Sequence, residues 1–307
     1  MDVIFDTNPY RYLAAGRSYG ETLDLVQKIK AAQRQRAINS WMAPTVWLEL
    51  FNHLEDESDP HYSECLGATV ASYAYTRLFG HGRNYRLAPR ADMVVAQTLF
   101  GFRDQDEDDI LMSLDSFAEI IFFDPTRDVI SPHIKQLEVY RNFLQYEENE
   151  FMKRFTENAA IYKQRYSHEQ DIMKKMRTRG VLREMYRGYV LREAMRIGME
   201  TDLLTEKRIE ELTEQMEKYF PAPFQLYLSI VARLVGNPDL DIYKRSRRNW
   251  YWDFQMLFYI SAANSMTLIT NDGDMFDAAD AAGIGDRVKT IEKYCQELQV
   301  EFTMSSK

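Results

Sequence analysis

Cysteine is almost missing from this chain. Its 307 residues include only two, Cys65 and Cys295, too far apart in sequence for a metal-ligand or disulfide spacing. That scarcity fits a reduced, cytoplasmic protein. Histidine is also sparse. His53 and His61 fall near Glu64 and Cys65, but they match no zinc-ligand spacing and read as packing or surface residues. No apolar run approaches the roughly 18 residues of a membrane span; the longest, "MLFYISAA", is about half that. The start carries Asp2 and Asp6 rather than the basic region of a signal peptide. Positive charge is not in excess either. A net charge of −9 speaks against nucleic-acid binding through bulk charge.

What is there suffices for a large core, with 45% hydrophobic and 13% aromatic residues. That is enough for one large domain or two ordinary ones. Charge is unevenly spread. Residues 151 to 208 hold 14 Lys or Arg against 8 Asp or Glu, leaving room for one basic surface on an acidic body.

The chain changes texture twice. "DVIFD" reads as a buried strand and "ETLDLVQKIKAAQRQRAI" as a helix, with Leu23, Val26, Ile29 and Ala32 at helical spacing. "SWMAP" then reads as a strand closed by Pro44, and "TVWLELFNHL" as a helix started by Pro44 and Thr45. From about 60 to 245 long helical patterns rich in Leu, Met, Glu, Arg and Lys take over. The dense acid run "DQDEDDIL" reads there as a solvated helix start. The last sixty residues return to α/β texture. "NWYWDFQMLFYISAANS" reads as a buried helix, "MTLIT" as a strand and "MFDAADAA" as a short helix. "RVKTI" and "VEFTM" read as closing strands. The expected architecture is α/β, a split domain of 1–58 and 245–307 interrupted by an all-α insertion of 59–244.

Four carboxylates occupy equivalent places in this reading. Asp6 ends the first strand and Glu49 lies in the helix after the second. Asp253 belongs to the "WYWDFQM" helix, and Asp272 follows "MTLIT". In a parallel sheet with right-handed crossovers these places share one edge. Acids brought together without basic partners raise each other's pKa. A divalent cation such as Mg²⁺ or Mn²⁺ relieves that, because it takes hard oxygen ligands. Such an ion can activate water and stabilise a phosphodiester under attack. Asp6 alone also reads as a helix N-cap before Pro9.

These residues carry a resemblance. "IFDTNPYRYL", "TVWLELFN", "YWDFQMLFYIS" and "LITNDGDMF" resemble the successive motifs of the PIN-domain nucleases. The resemblance implies a three-layer α/β/α fold on a central parallel sheet and metal-dependent cleavage of single-stranded RNA, or of flapped DNA in related branches. It implies that Asp6, Glu49, Asp253 and Asp272 bind the metal, with Asp274 as an auxiliary acid and Asn8 and Thr270 as supporting polar residues. It covers under half the chain. Glu49 and Asp253 stand 204 positions apart, where the family places a few dozen residues.

Two other readings compete. "FDTN" and "GDMFDAADAAGIGD" resemble motifs of haloacid dehalogenase-like phosphatases, but that chemistry needs a second Asp where Asn8 stands, and it leaves Glu49 and Asp253 idle. A catalytically silent PIN-like scaffold is the other, and degenerate scaffolds tend to lose the acids retained here. Arg179, Arg183 and Arg187 form one helical stripe and Arg192 and Arg196 another, with Tyr186 and Tyr189 between. They read equally as an RNA-facing surface or as partners of acids on neighbouring helices. "KRSRRNWYW" leads directly to Asp253, so Arg247 and Arg248 are placed to steer a phosphate backbone. The expected function is a metal-dependent nuclease using Mg²⁺ or Mn²⁺, with RNA as the favoured partner and no membrane role. A second copy or a protein inhibitor is compatible with the sequence.

Overall fold

The computed structural model describes residues 1–77, 87–166, 172–176, 178–237, 239–261 and 265–304. The chain is mostly helical around a small parallel sheet. β1 (Asp2–Phe5), β2 (Asn39–Trp41), β3 (Met266–Ile269) and β4 (Val288–Lys289) pair in the order β2-β1-β3-β4, each pair parallel. β1 and β3 are central, and their near-continuous apolar runs suit strands covered on both faces. α1 (Thr7–Ala14) and α2 (Tyr19–Gln35) connect β1 to β2, and α3 (Pro44–Phe51) follows β2. Ser18 and Glu21 start α2 with a reciprocal capping box, which satisfies amide donors a helix start otherwise leaves unpaired.

The helical segment contributes α4 (Tyr62–Thr76), α5 (Ala91–Phe100), α6 (Glu107–Phe123), α7 (Arg127–Ile130) and α8 (Ile134–Arg165). It continues with α9 (Ile172–Met176), α10 (Arg179–Arg196), α11 (Glu206–Tyr219) and α12 (Pro221–Gly236). α13 (Arg245–Leu257) leads back to β3, α14 (Gly273–Ala281) joins β3 to β4, and α15 (Ile291–Leu298) follows β4. The "DQDEDDIL" acids open α6, with Glu107, Asp108 and Asp109 in its first turn.

Two elements differ from expectation. "VEFTM" forms no strand: Gln299 adopts φ 59° and the Val300 amide donates to the Cys295 carbonyl, closing α15 and leaving 300–304 irregular. The helix around Asp253 ends at Leu257 and tightens into a 3-10 turn over Phe258–Ile260.

The helical segment is not packed apart from the sheet. Tyr75 of α4 lies 4.3 Å, ring to ring, from Phe5 of β1, and Trp47 of α3 donates to Ser72 at 3.0 Å. Gln33 of α2 bridges α4 and α15, donating to the Tyr75 hydroxyl and, at 2.6 Å, to that of Tyr294. One continuous apolar core therefore runs from the sheet into the helices, so residue 59 marks a change of texture and not a packing boundary.

Candidate metal centre

From β1 the sheet is extended on one side by β2, and from β3 on the other by β4. The carboxyl edge between two such strands is where open α/β sheets form a crevice. Phe5 pairs with Ile269, and the Asp6 amide donates to the Ile269 carbonyl at 2.9 Å. Asp6 and Thr270 therefore leave the sheet side by side. The Thr270 hydroxyl donates to Asp6 Oδ2 at 3.0 Å and accepts from the Asp272 amide at 3.1 Å. A hydroxyl can do both at once, and fully buried Thr270 thus ties the first acid to the fourth. Asp272 Oδ1 caps α14 by accepting from the Met275 amide at 3.1 Å.

Glu49 comes from α3. Its Oε2 accepts from the Thr7 hydroxyl, and its Oε1 lies 3.8 Å from Arg11 Nη2. Asp253 on α13 is 7% exposed. Among the described residues it has no hydrogen bond or ion pair, although a buried carboxylate ordinarily requires one.

The four acids act on one another. Burial, then the charge of Glu49, push the Asp6 carboxyl up to about 7, while the Thr7 amide and Thr270 hydroxyl pull the other way. Burial, followed by Asp272, Asp6 and Glu49, drives Asp253 well above the carboxylate range. Asp272 is raised by burial first and by Asp274 second. The set is a group of hard oxygen donors short of positive charge, which is the chemistry Mg²⁺ or Mn²⁺ accepts. Among the described residues no three of His, Cys, Asp or Glu stand close enough to enclose a cation as placed. The donor types fit such an ion, and the side chains would have to turn toward it.

Several expectations are corrected here. Asp274 is not a free auxiliary acid: Arg233 of α12 holds both its oxygens, Nη1 at 2.9 Å from Oδ2 and Nη2 bonded to Oδ1. That ion pair keeps the Asp274 carboxyl below its ordinary range. The acids are not without basic neighbours, since Arg11 flanks Glu49 and Arg233 flanks Asp274. Asn8, half-buried in the first turn of α1, makes no hydrogen bond to the group among the described residues. Arg11 stands one helical turn after Thr7, a spacing that could have revealed it. Arg233 gave no local signal, because its partner lies 41 residues away.

The arginine stripe is also settled by packing. Arg183 pairs with Glu210, Glu214 and Glu217 of α11, and Arg187 with Glu206 and Glu210. Arg179 joins Glu217 at 3.1 Å. These arginines make cross-helix ion pairs, the alternative role the sequence left open for them. Arg247 donates to the Asp241 carbonyl and borders a hollow of about 470 Å³ with Arg233 and Trp250. The side chain of Arg248 lies outside the described residues. Glu49 opens to solvent through a separate groove of about 480 Å³, lined also by Asn52, His53, Tyr243 and Trp252.

Comparison with protein-family models, with curated proteins and with solved structures gives no match. No helix among the described residues is long and apolar enough to cross a membrane.

Proposed function

We propose that this chain is a metal-dependent nuclease with a PIN-like α/β/α core, acting most readily on single-stranded RNA. The observation that carries the reading is Asp253. It is a buried carboxyl with no donor among the described residues, and it feels three further acids at the carboxyl edge of a parallel sheet. Asp6, Glu49, Asp253 and Asp272 would hold one or two Mg²⁺ or Mn²⁺ ions. When bound, such an ion lowers the pKa of water and neutralises charge developing on a phosphodiester.

The chain's own residues supply the remainder. Thr270 orients Asp6 and fixes the Asp272 backbone. Thr7 holds one oxygen of Glu49, while Arg11 balances part of its charge. Arg233 removes Asp274 from competition and stiffens the start of α14. Arg247, which borders the same hollow as Arg233 and Trp250, would meet a backbone phosphate as a strand enters.

The test is cleavage of mixed single-stranded RNA and DNA with Mn²⁺, Mg²⁺ or EDTA, using wild type and Asp253→Asn side by side. Metal-dependent cutting that the variant loses supports the reading. Full activity in Asp253→Asn, or equal activity in EDTA, contradicts it. No cutting under any condition moves the assignment to a scaffold.

A further inference from the structure

Two neighbouring arginines of the helical segment lack an ion pair among the described residues. Arg154 on α8 and Arg192 on α10 make no ion pair and no hydrogen bond among the described residues. Arg192 only lies over the Tyr189 ring, 5.6 Å from its centroid. Several charged groups around them are matched elsewhere. Arg196 pairs with Asp92 and Glu193, Arg90 with Asp92 and Asp104, and Arg165 with Glu184. Glu147 borders the same space without pairing to either arginine. Arg154 is half-buried and Arg192 exposed, and the two guanidiniums repel each other. Glu147 offsets Arg154 and Glu193 offsets Arg192 only in part, without ion-pair contact, and an anion held by both guanidiniums would relieve their mutual repulsion.

Both arginines stand at the junction of two hollows. The smaller, about 100 Å³, is walled by Phe151, Phe224, Tyr227 and Phe254. The larger, about 710 Å³, continues past Tyr251 and is within the size range of small-molecule sites. α13 separates this space from the acids. Tyr251, Phe254 and Gln255, at i, i+3 and i+4, line the hollow, whereas Asp253 on the same helix is coupled to Asp6, Glu49 and Asp272.

We propose that this cavity is a second site, for a nucleoside phosphate, with the phosphate on Arg154 and Arg192 and the base against the aromatic wall. Guanidinium forks match phosphate oxygens, and aromatic faces stack bases without demanding a particular one. An inorganic anion would leave the aromatic hollow unfilled, and an apolar ligand would leave the repulsion between the arginines unrelieved. Asn158, which donates to the Tyr227 hydroxyl at 2.5 Å, adds polar groups that can meet a base edge. The same chemistry is presented by a free mononucleotide and by one nucleotide of a single strand.

The experiment is calorimetric titration with AMP in EDTA, which removes any contribution from a metal-loaded acid site. Wild type, Arg154→Gln, Arg192→Gln, Arg192→Lys and Asp6→Asn are compared, with adenosine and inorganic phosphate as part-ligands. Saturable AMP binding is expected, weakened about tenfold or more in each glutamine variant, as losing a charge-assisted bond implies. Asp6→Asn should bind normally, and both part-ligands should bind more weakly than AMP. Arg192→Lys keeps the charge and loses the fork, so it should lie between, and it carries the test should a glutamine variant not fold. A 5′-phosphorylated RNA tetranucleotide that displaces AMP identifies a strand as the source; failure to displace identifies a free nucleotide. Absence of saturable AMP binding up to about millimolar concentration, binding untouched by the arginine variants, or binding lost in Asp6→Asn overturns the proposal.

Discussion

At the scale of single residues, the buried carboxyls make the metal-free protein sensitive to pH in an uncommon direction. Asp6 is pushed up to about 7 in the folded state from an ordinary 3.8. Below pH 4 it is protonated whether folded or not, and its contribution to stability is complete. As pH rises through 7 the unfolded chain is already ionised while the folded one must give up its proton, so that contribution is lost. In EDTA the thermal midpoint should therefore fall from pH 4 to above pH 7, and Asp6→Asn should flatten the profile. The rise from 3.8 to about 7 sets an upper bound of about 4 kcal/mol. Asp6→Asn should at the same time abolish metal-dependent cleavage while retaining the wild-type circular dichroism. A variant less stable than wild type at pH 8 in EDTA would show that the acids do not repel one another.

At the scale of elements, α4 and α10 mark opposite limits of what the sequence pattern conveys. The long helical texture was legible throughout 60–245, because apolar spacing repeats over many turns. Which helix lies on the sheet was not. Tyr75 reaches the Phe5 ring, and Gln33 donates to its hydroxyl, from positions with no local pattern linking them. Tyr75→Ala should destabilise by about 3–5 kcal/mol, measured by denaturant unfolding; a loss below about 1 kcal/mol would separate α4 from the core. The stripe on α10 was visible as geometry but open as to role, since periodicity places arginines on a face without naming what faces them. The α11 acids supply that. Arg183→Gln should cost at most about 1 kcal/mol and leave the salt dependence of RNA binding unchanged. Arg247→Gln should instead reduce the slope of log affinity against log salt by about 1. Equal slopes for all three proteins would remove Arg247 from the interface.

At the scale of the whole molecule, the core of the terminal segments continues into the helices, and Arg233 of α12 reaches across to Asp274 beside the acid set. A single cooperative transition is therefore expected, with calorimetric and van't Hoff enthalpies agreeing. Two separated transitions would restore residue 59 as a domain boundary. The sheet strands β1 and β3 and the acids at their ends were readable, because an apolar run ending in Asp or Thr-Asn-Asp is a local signal. β4 was readable within "RVKTI", although only two of its residues pair; the strand expected over 300–304 was not formed, because Gln299 in the left-handed region and the Val300 amide close α15 instead. Of the basic neighbours, Arg233 was hidden because a tertiary contact alone brings it to Asp274, whereas Arg11 stands one helical turn from Thr7 and offered a local signal. The central claim is that Asp6, Glu49, Asp253 and Asp272 form one divalent-cation site, and calorimetric titration of Mn²⁺ at pH 7.5 into wild type and Asp253→Asn tests it most directly. Saturable binding to wild type with proton release, weakened about tenfold or more in the variant, is the predicted result. Identical heats for the two proteins, or no binding to either, would contradict it.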